Sequence, residues 1–204
     1  MALKCPFKQI INMFGVDIIL VYNAVILKQR IAVYHHRKDH LLQFIISIPC
    51  FAWHRLNWDQ ILYPIVNLQC KEEMAEICSK KHFVAGFTDS EIETKTDIFD
   101  VFVNLAAVEI TVANHAKDAF VMTKTHKEIA MFMKRLAESE SSTDFEVIDQ
   151  VSAKTKELIS NLKTLGVREQ DDVIEKNLLE EKKLGTALES FLKRLAIAED
   201  FKLV

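Results

Sequence analysis

The side chains that could do chemistry in this sequence are carboxylates, seven histidines and four cysteines. Three adjacent carboxylate pairs could act as general acid and base, namely Glu72–Glu73, Asp171–Asp172 and Glu180–Glu181. Each pair lies in a polar, helix-like segment without the apolar pocket that acid–base chemistry requires, so we interpret them as solvated helix faces. No GxSxG, HExxH, P-loop or GxGxxG motif is present. Neither covalent catalysis nor a cofactor is predicted.

Three of the histidines, His35, His36 and His40, form a cluster that could bind a metal. His36 and His40 are four residues apart, a spacing that places two ligands on one helix face. The cluster also includes Arg37 and Lys38, whose positive charges would repel a cation. We therefore favour a cluster without a metal.

The cysteines, Cys5, Cys50, Cys70 and Cys78, form no CxxC motif. A zinc site would need ligands two to four residues apart, and a secreted disulfide scaffold would be denser in cysteine. The pattern predicts reduced thiols in a cytosolic protein.

The segment Trp53–Asp59 is unusual because two tryptophans lie five residues apart with a histidine and an arginine between them. Tryptophan and arginine are the residues most enriched at the centres of protein interfaces. We therefore predict that His54, Arg55, Trp58 and Asp59 contact a protein partner. In the alternative, both indole rings anchor the core; we favour this for Trp53 and leave it open for Trp58.

The elements that must position these residues form an α/β arrangement in the first half of the chain. Buried strands are predicted at Ile31–Tyr34, Phe83–Phe87 and Asp97–Asn104, with Trp53 packed near them. Three predicted helices alternate with these strands: one that ends near Lys28, Lys38–Ile48 before Pro49, and Lys71–Lys81.

From about residue 113 the strand signal disappears, and apolar residues recur every three or four positions. Two capping boxes, Thr143-x-x-Glu146 and Thr186-x-x-Glu189, predict helix starts, and Gly166 is typical of a helix end. Short polar connectors favour packing as a bundle. We predict an α/β central lobe over residues 1–112 followed by an all-α helical lobe over residues 113–204.

The composition is that of a folded protein, with 50% hydrophobic residues and only four Gly and three Pro among 204. Residues 1–70 carry seven basic and three acidic side chains, whereas residues 71–204 carry 19 and 26. Neither part is basic enough to predict nucleic-acid binding. Polar residues interrupt the apolar run Ile10–Leu27, so neither a signal peptide nor a membrane span is predicted.

Five segments, in this order, carry a resemblance to a known family. They are LKQRIAVYHH from Leu27, IPCFAWHRLNW from Ile48, HFVAGFTDSE from His82, DIFDVFVNLAAVEITVA from Asp97 and FLKRLAIAE from Phe191. Their order resembles the central and C-terminal parts of a DENN module, in particular that of the small DENN domain-containing protein ten family. The resemblance covers nearly the whole chain, from about Phe14 to Val204.

The resemblance implies an α/β central lobe followed by a helical lobe, in agreement with the boundary that periodicity predicts. It also implies a Rab GTPase regulator that promotes GDP release by displacing switch I and the phosphate-gripping loop. Such exchange needs no nucleophile or metal, because stabilising the nucleotide-free GTPase is differential binding. The family's association with late endosomes and with the Commander endosomal recycling assembly implies a peripheral, cytoplasmic protein there.

The sequence departs from the family pattern in one respect: Met1 falls near the helix before the central strand, so we expect the N-terminal longin-like lobe to be absent. Because the Rab contacts both lobes in DENN modules, we expect reduced exchange activity. We also expect an uncovered apolar surface formed by Phe7, Ile10, Ile11 and Phe14. Two alternatives are a non-catalytic scaffold whose acidic helices bind an endosomal recycling complex, and an incomplete gene product without independent activity.

Overall fold

The computed structural model describes residues 5–166, 173–174 and 184–203. Within these ranges, helices and strands alternate in the first half of the chain, and helices dominate the second. The α-helices are α1 (Phe7–Phe14), α2 (Ile18–Ile26), α3 (Lys38–Ile45), α4 (Lys71–Ser79), α5 (Lys124–Glu138), α6 (Asp144–Gly166) and α7 (Thr186–Ala198). The strands are β1 (Arg30–Tyr34), β2 (Leu62–Val66), β3 (Phe83–Phe87), β4 (Val101–Asn104), β5 (Glu109–Val112), β6 (Val173–Ile174) and β7 (Lys202–Leu203).

Strands β1 to β5 form one mixed sheet in the order β2-β3-β1-β4-β5, and β6 pairs with β7. The pairs β1–β3, β1–β4 and β2–β3 are parallel, whereas β5 runs antiparallel to β4. The predicted strands are confirmed as β1, β3 and β4, although β4 begins only at Val101. The α/β class followed by a helical region is therefore confirmed. Strand β2 escapes prediction because it contains Pro64, which an edge strand tolerates.

Successive side chains of the central strand β1 point into two different cores. Ile31 and Val33 belong to the larger core, to which α1, α2, α3, α5, α6 and α7 also contribute. Ala32 lies between them and belongs to a smaller core on the other face of the sheet, together with Ile77 of α4. Both faces of the sheet are covered, which explains why its central strands are continuously apolar.

The larger core extends across the predicted boundary at residues 112 and 113. Helix α1 packs against α5 and α6, and its residues Phe7, Ile10, Ile11 and Phe14 are at most 7% exposed. The expectation that these four residues form an uncovered apolar surface is wrong, because helices distant in the sequence cover them. The division into two lobes stays a prediction.

The apolar run near the N-terminus forms two helices separated at Gly15, whose φ of 57° lies in the left-handed region that favours glycine. By length and composition, Phe7–Ile26 could cross a membrane. However, 61% of its most apolar window is buried inside the protein, as in a core segment.

The helix ends follow the sequence signals in part. The capping box of α6 is confirmed, since Thr143 N donates to Glu146 Oε2 at 2.7 Å and Glu146 N donates to Thr143 Oγ1 at 3.2 Å. The capping box predicted at Thr186 is wrong, because Gly185 takes the N-cap position of α7 and no side chain caps that helix. Helix α3 ends at Ile45, and Pro49 lies in the short 3-10 helix Ile48–Ala52 that follows.

Candidate protein-interaction site

The segment Trp53–Asp59 lies beside the N-terminal ends of the parallel strands of the sheet. It follows the 3-10 helix Ile48–Ala52 and leads into β2. Together with Arg55–Trp58 of this segment, Gln29, Ile61 and His82 line one cavity; these last three are the residues directly before β1, β2 and β3. Open parallel sheets usually bind small ligands at the opposite end, beyond the carboxyl ends of the strands. The location therefore favours a surface role over a nucleotide or substrate pocket.

Arg55 turns its guanidinium into the protein, where its side chain is only 13% exposed. Nη1 donates to the carbonyl oxygen of Val25 at 2.7 Å, and Nη2 donates to that of Ile26 at 2.6 Å. These carbonyls lie in the last turn of α2, where a helix lacks its own donors and where positive charge is favourable. Nη2 also donates to Oε1 of Glu199. Arg55 therefore caps α2 and ties it to the end of α7.

Glu199 is the C-cap residue of α7 and contacts two residues that precede it by 145 and 144 positions, His54 and Arg55. Besides the contact with Arg55, its Oε2 lies 3.1 Å from Nε2 of His54. Burial raises the pKa of Glu199, but the hydrogen bond with His54 and the positive charge of Arg55 outweigh burial and lower it below its ordinary value. The carboxylate is therefore ionised at neutral pH and holds His54 and Arg55 in place. Sequence reasoning missed this residue, although it ends the last segment that carries the DENN resemblance.

Trp58 and Asp59 are placed differently from His54 and Arg55. Trp58 is half-buried against the larger core, and its Nε1 donates to the carbonyl oxygen of Arg55 at 3.0 Å. Asn57 before it adopts the left-handed conformation with a φ of 64° and turns the chain. Asp59 is exposed. The structure thus brings His54, Arg55 and Trp58 into one internally bonded turn, and their contact with a partner stays a prediction.

Trp53 faces solvent with 59% of its surface exposed, so the expectation that it packs in the core near the strands is wrong. The preceding residues take the core positions instead. Phe51 is fully buried, and its ring centroid lies 4.9 Å from that of Phe7. Successive residues of a helical turn point in different directions, so the chain that buries Phe51 and Ala52 directs Trp53 outward. Leu56 is 83% exposed on the same segment and was also missed.

The cavity beside this segment has a volume of about 350 Å³ and a charged wall. Lys28 Nζ lies 3.1 Å from Oδ2 of Asp200. Burial lowers the pKa of His82, and the positive charges of Lys28 and Arg55 act in the same direction. Because the wall combines paired charges with apolar groups, it suits an amphipathic side chain of a partner rather than a reacting group.

The three rings of the histidine cluster stack on one another and do not surround a common point, as metal ligands would. The ring centroids of His36 and His40 lie 4.3 Å and 4.4 Å from that of His35. Burial lowers the pKa of His35, and the neighbouring imidazoles and Arg37 act in the same direction. Across residues 5–166, 173–174 and 184–203, no group of three or more His, Cys, Asp or Glu is placed to hold a metal ion.

A second exposed surface, which sequence reasoning missed, is apolar and lies where the α1–α2 junction meets α5. We call it the methionine surface; its exposed apolar members are Val16, Met122 and Met131. A groove of about 400 Å³ crosses it, with Asp17 and Lys127 among its lining residues. The residues come from three separate parts of the chain, so no local pattern reveals that they share a surface.

Comparison with known proteins assigns this chain to a family. A family model described as stabilization of polarity axis matches residues 5–114, slightly more than half of the chain. The chain is 42% identical over 193 residues to DENN domain-containing protein 10 of Danio rerio, which is 94% of this chain and 54% of that protein. The protein of the same name in Homo sapiens is 37% identical over 196 residues, with the same two shares, 94% and 54%. That in Dictyostelium discoideum is 35% identical over 200 residues, or 97% of this chain and 54% of that protein. The chain thus spans about half the length of the curated relatives it matches.

Proposed function

Because the chain belongs to the stabilization of polarity axis family and its relatives are DENN domain-containing proteins, we propose that it regulates a Rab GTPase. It acts as a DENN-type guanine nucleotide exchange factor in late endosomal and vesicle traffic, as a peripheral protein on the cytoplasmic side. Exchange of this kind is differential binding: contacts made preferentially to the nucleotide-free GTPase lower the barrier to GDP release.

The observation that carries this proposal is the segment Trp53–Asp59. It presents Trp53 and Leu56 to solvent, whereas Arg55 and Glu199 fix its base to two helices. Exposed apolar anchors on a rigid base lose little conformational entropy on binding and are typical of interface hot spots. Asp59 adds an exposed negative charge beside them.

The test is the release of fluorescent GDP from a panel of Rab GTPases, with and without the protein. A variant with Trp53→Ala and Leu56→Ala should accelerate release at least about tenfold less, since two central anchors contribute about 1–2 kcal/mol each. Phe145→Ala is the matched control because Phe145 is also apolar, is 77% exposed and lies on α6, outside the segment. Circular dichroism confirms that both variants fold. Unchanged release by the double variant would refute the proposed contact surface.

The second candidate function is a non-catalytic scaffold that binds a subunit of an endosomal recycling complex of the Commander type. The methionine surface favours it, since exposed apolar patches on soluble proteins mark interaction sites and methionine adapts to varied partners. A pull-down with purified recycling-complex subunits tests this function. Loss of capture with Met122→Glu plus Met131→Glu, but not with the Trp53 and Leu56 variant, would favour the scaffold. Loss of accelerated GDP release with the Trp53 and Leu56 variant, but not with Met122→Glu plus Met131→Glu, would favour exchange.

A further inference from the structure

Two thiols that are 45 positions apart in the sequence lie side by side in the fold. Sγ of Cys5 is 3.5 Å from Sγ of Cys50. Cys5 directly precedes Pro6 and α1, and Cys50 lies in the 3-10 helix Ile48–Ala52. The edge-to-face contact between Phe7 and Phe51 holds these two segments together. The pair is therefore part of the packing between α1 and the turn that leads into Trp53–Asp59.

We propose that Cys5 and Cys50 form an oxidisable site, in which hydrogen peroxide or a related peroxide converts the two thiols into an intramolecular disulfide. A disulfide requires an S–S distance of about 2.05 Å, so the two sulfur atoms must approach by about 1.5 Å. Cys5 lies in the irregular stretch before α1, where rotation of its side chain and a small backbone shift can supply this approach.

The two thiols differ in burial and in chemistry, which assigns a role to each. Cys5 is half-buried, whereas Cys50 is only 3% exposed. The hydrogen bond with Cys50 lowers the pKa of Cys5 to about 7; burial opposes this shift, and the hydrogen bond with Ser47 adds to it. The same pairing raises the pKa of Cys50, as does burial. Cys5 is thus the accessible thiolate that meets the oxidant, and Cys50 is the protonated partner.

The reaction balances with peroxide as the oxidant. The Cys5 thiolate attacks one oxygen of hydrogen peroxide, the O–O bond breaks, and Cys5 becomes a sulfenic acid while hydroxide leaves and takes up a proton to form water. Cys50 then attacks the sulfenic sulfur, loses its proton, and expels a second water as the S–S bond forms. Two thiols lose two electrons in total, and the peroxide gains them.

The disulfide would join the start of α1 to the turn that supports the candidate interaction site. It closes a long loop, which restricts the unfolded chain and should raise the melting temperature by about 5–10 °C. Because Trp53 follows this turn directly, oxidation should also stiffen the base of Trp53–Asp59. This effect does not depend on which partner the segment binds.

The experiment treats the reduced protein with hydrogen peroxide and follows it by peptide mapping without reductant and by thermal unfolding. We expect a cross-linked peptide that contains Cys5 and Cys50, a mass lower by two hydrogens, reversal by dithiothreitol, and a higher melting temperature. The matched control is Cys70→Ser plus Cys78→Ser, which keeps the pair and should behave as the unaltered protein. In Cys5→Ser, the cross-link and the temperature shift should both disappear.

A second readout is the pH dependence of Cys5 alkylation by iodoacetamide. Its midpoint should lie near pH 7 and move upward in Cys50→Ala, because the stabilising hydrogen bond is lost. Accumulation of Cys5 sulfinic acid without a cross-link, or cross-links that involve Cys70 or Cys78 instead, would overturn the proposal. An alkylation midpoint that does not change in Cys50→Ala would contradict the role assigned to Cys50.

Discussion

Glu199 shows at the scale of single residues how the candidate site is held together, since its carboxylate contacts both His54 and Arg55. Glu199→Gln keeps the shape but removes the charge that faces Arg55, and we expect a loss of about 2 kcal/mol in the free energy of unfolding. Urea denaturation measures it. Asp200→Asn is the matched control, because the Asp200 side chain is 85% exposed and its pair with Lys28 should contribute less than about 1 kcal/mol. Equal losses in both variants would contradict the role of Glu199.

His126 is a second residue whose environment was not visible in the sequence. It completes the capping box of α5: Thr123 N donates to His126 Nδ1 at 3.1 Å, and His126 N donates to Thr123 Oγ1 at 3.3 Å. Burial lowers the pKa of His126 from 6.5 to about 4. As the pH falls between these two values, the unfolded chain binds a proton that the folded chain excludes. The free energy of unfolding should therefore decrease toward low pH, by up to about 3 kcal/mol.

His126→Gln tests this pH dependence without removing the cap, since glutamine is a usual residue at this position of a capping box. We expect the variant and the unaltered protein to have similar stability near pH 7.5. Between pH 6.5 and 4 the stability of the variant should fall less steeply, as measured by urea denaturation at each pH. Parallel curves over this range would show that His126 is not the group that titrates.

At the scale of elements, Gly86 sets how closely β3 approaches its neighbours. A Cβ at this position would meet the carbonyl oxygen of Pro64 in β2 and would lie 2.6 Å from Cδ1 of Ile45 in α3. Gly86→Ala must push these elements apart, and we expect a loss of about 2 kcal/mol in the free energy of unfolding. Gly185→Ala is the control because no atom lies within 4 Å of its Cβ, and it should cost about 0.5 kcal/mol or less. Similar losses would show that the space around Gly86 can adapt.

The elements also differ in how readily their sequences predict them. Strands β1 and β3 are continuously apolar because helices cover both faces of the sheet, and that pattern is visible in IAVY and FVAGF. Strand β5 lies at the edge of the sheet with alternate residues exposed, so it has no such run. The N-cap of α7 was misplaced by one residue because Thr186 and Gly185 are both acceptable cap residues.

At the scale of the whole molecule, the length of the chain bears on the proposed exchange activity. The chain spans about half of its relatives, and a stable interface buries about 800 Å² on each partner. We therefore expect these 204 residues to accelerate GDP release at least about tenfold less than a full-length relative on the same Rab, because fewer contacts favour the nucleotide-free state. The fluorescent-GDP assay compares the two proteins directly. Equal rates would refute this expectation, and inactivity of both would favour the scaffold function.

The sequence by itself determined the fold class, the three central strands β1, β3 and β4, most of the helices and the DENN resemblance, because these depend on local periodicity and on motifs of adjacent residues. Only the tertiary structure decided which side of each element is covered. Trp53 was expected in the core and is exposed, and Phe7 was expected to be uncovered and is buried under α5 and α6, while Arg55, whose contact with a partner stays a prediction, also caps α2. The physical reason is the same in each case. The direction of a side chain depends on groups that are distant in the sequence, such as Glu199 for Arg55, and no local pattern records them.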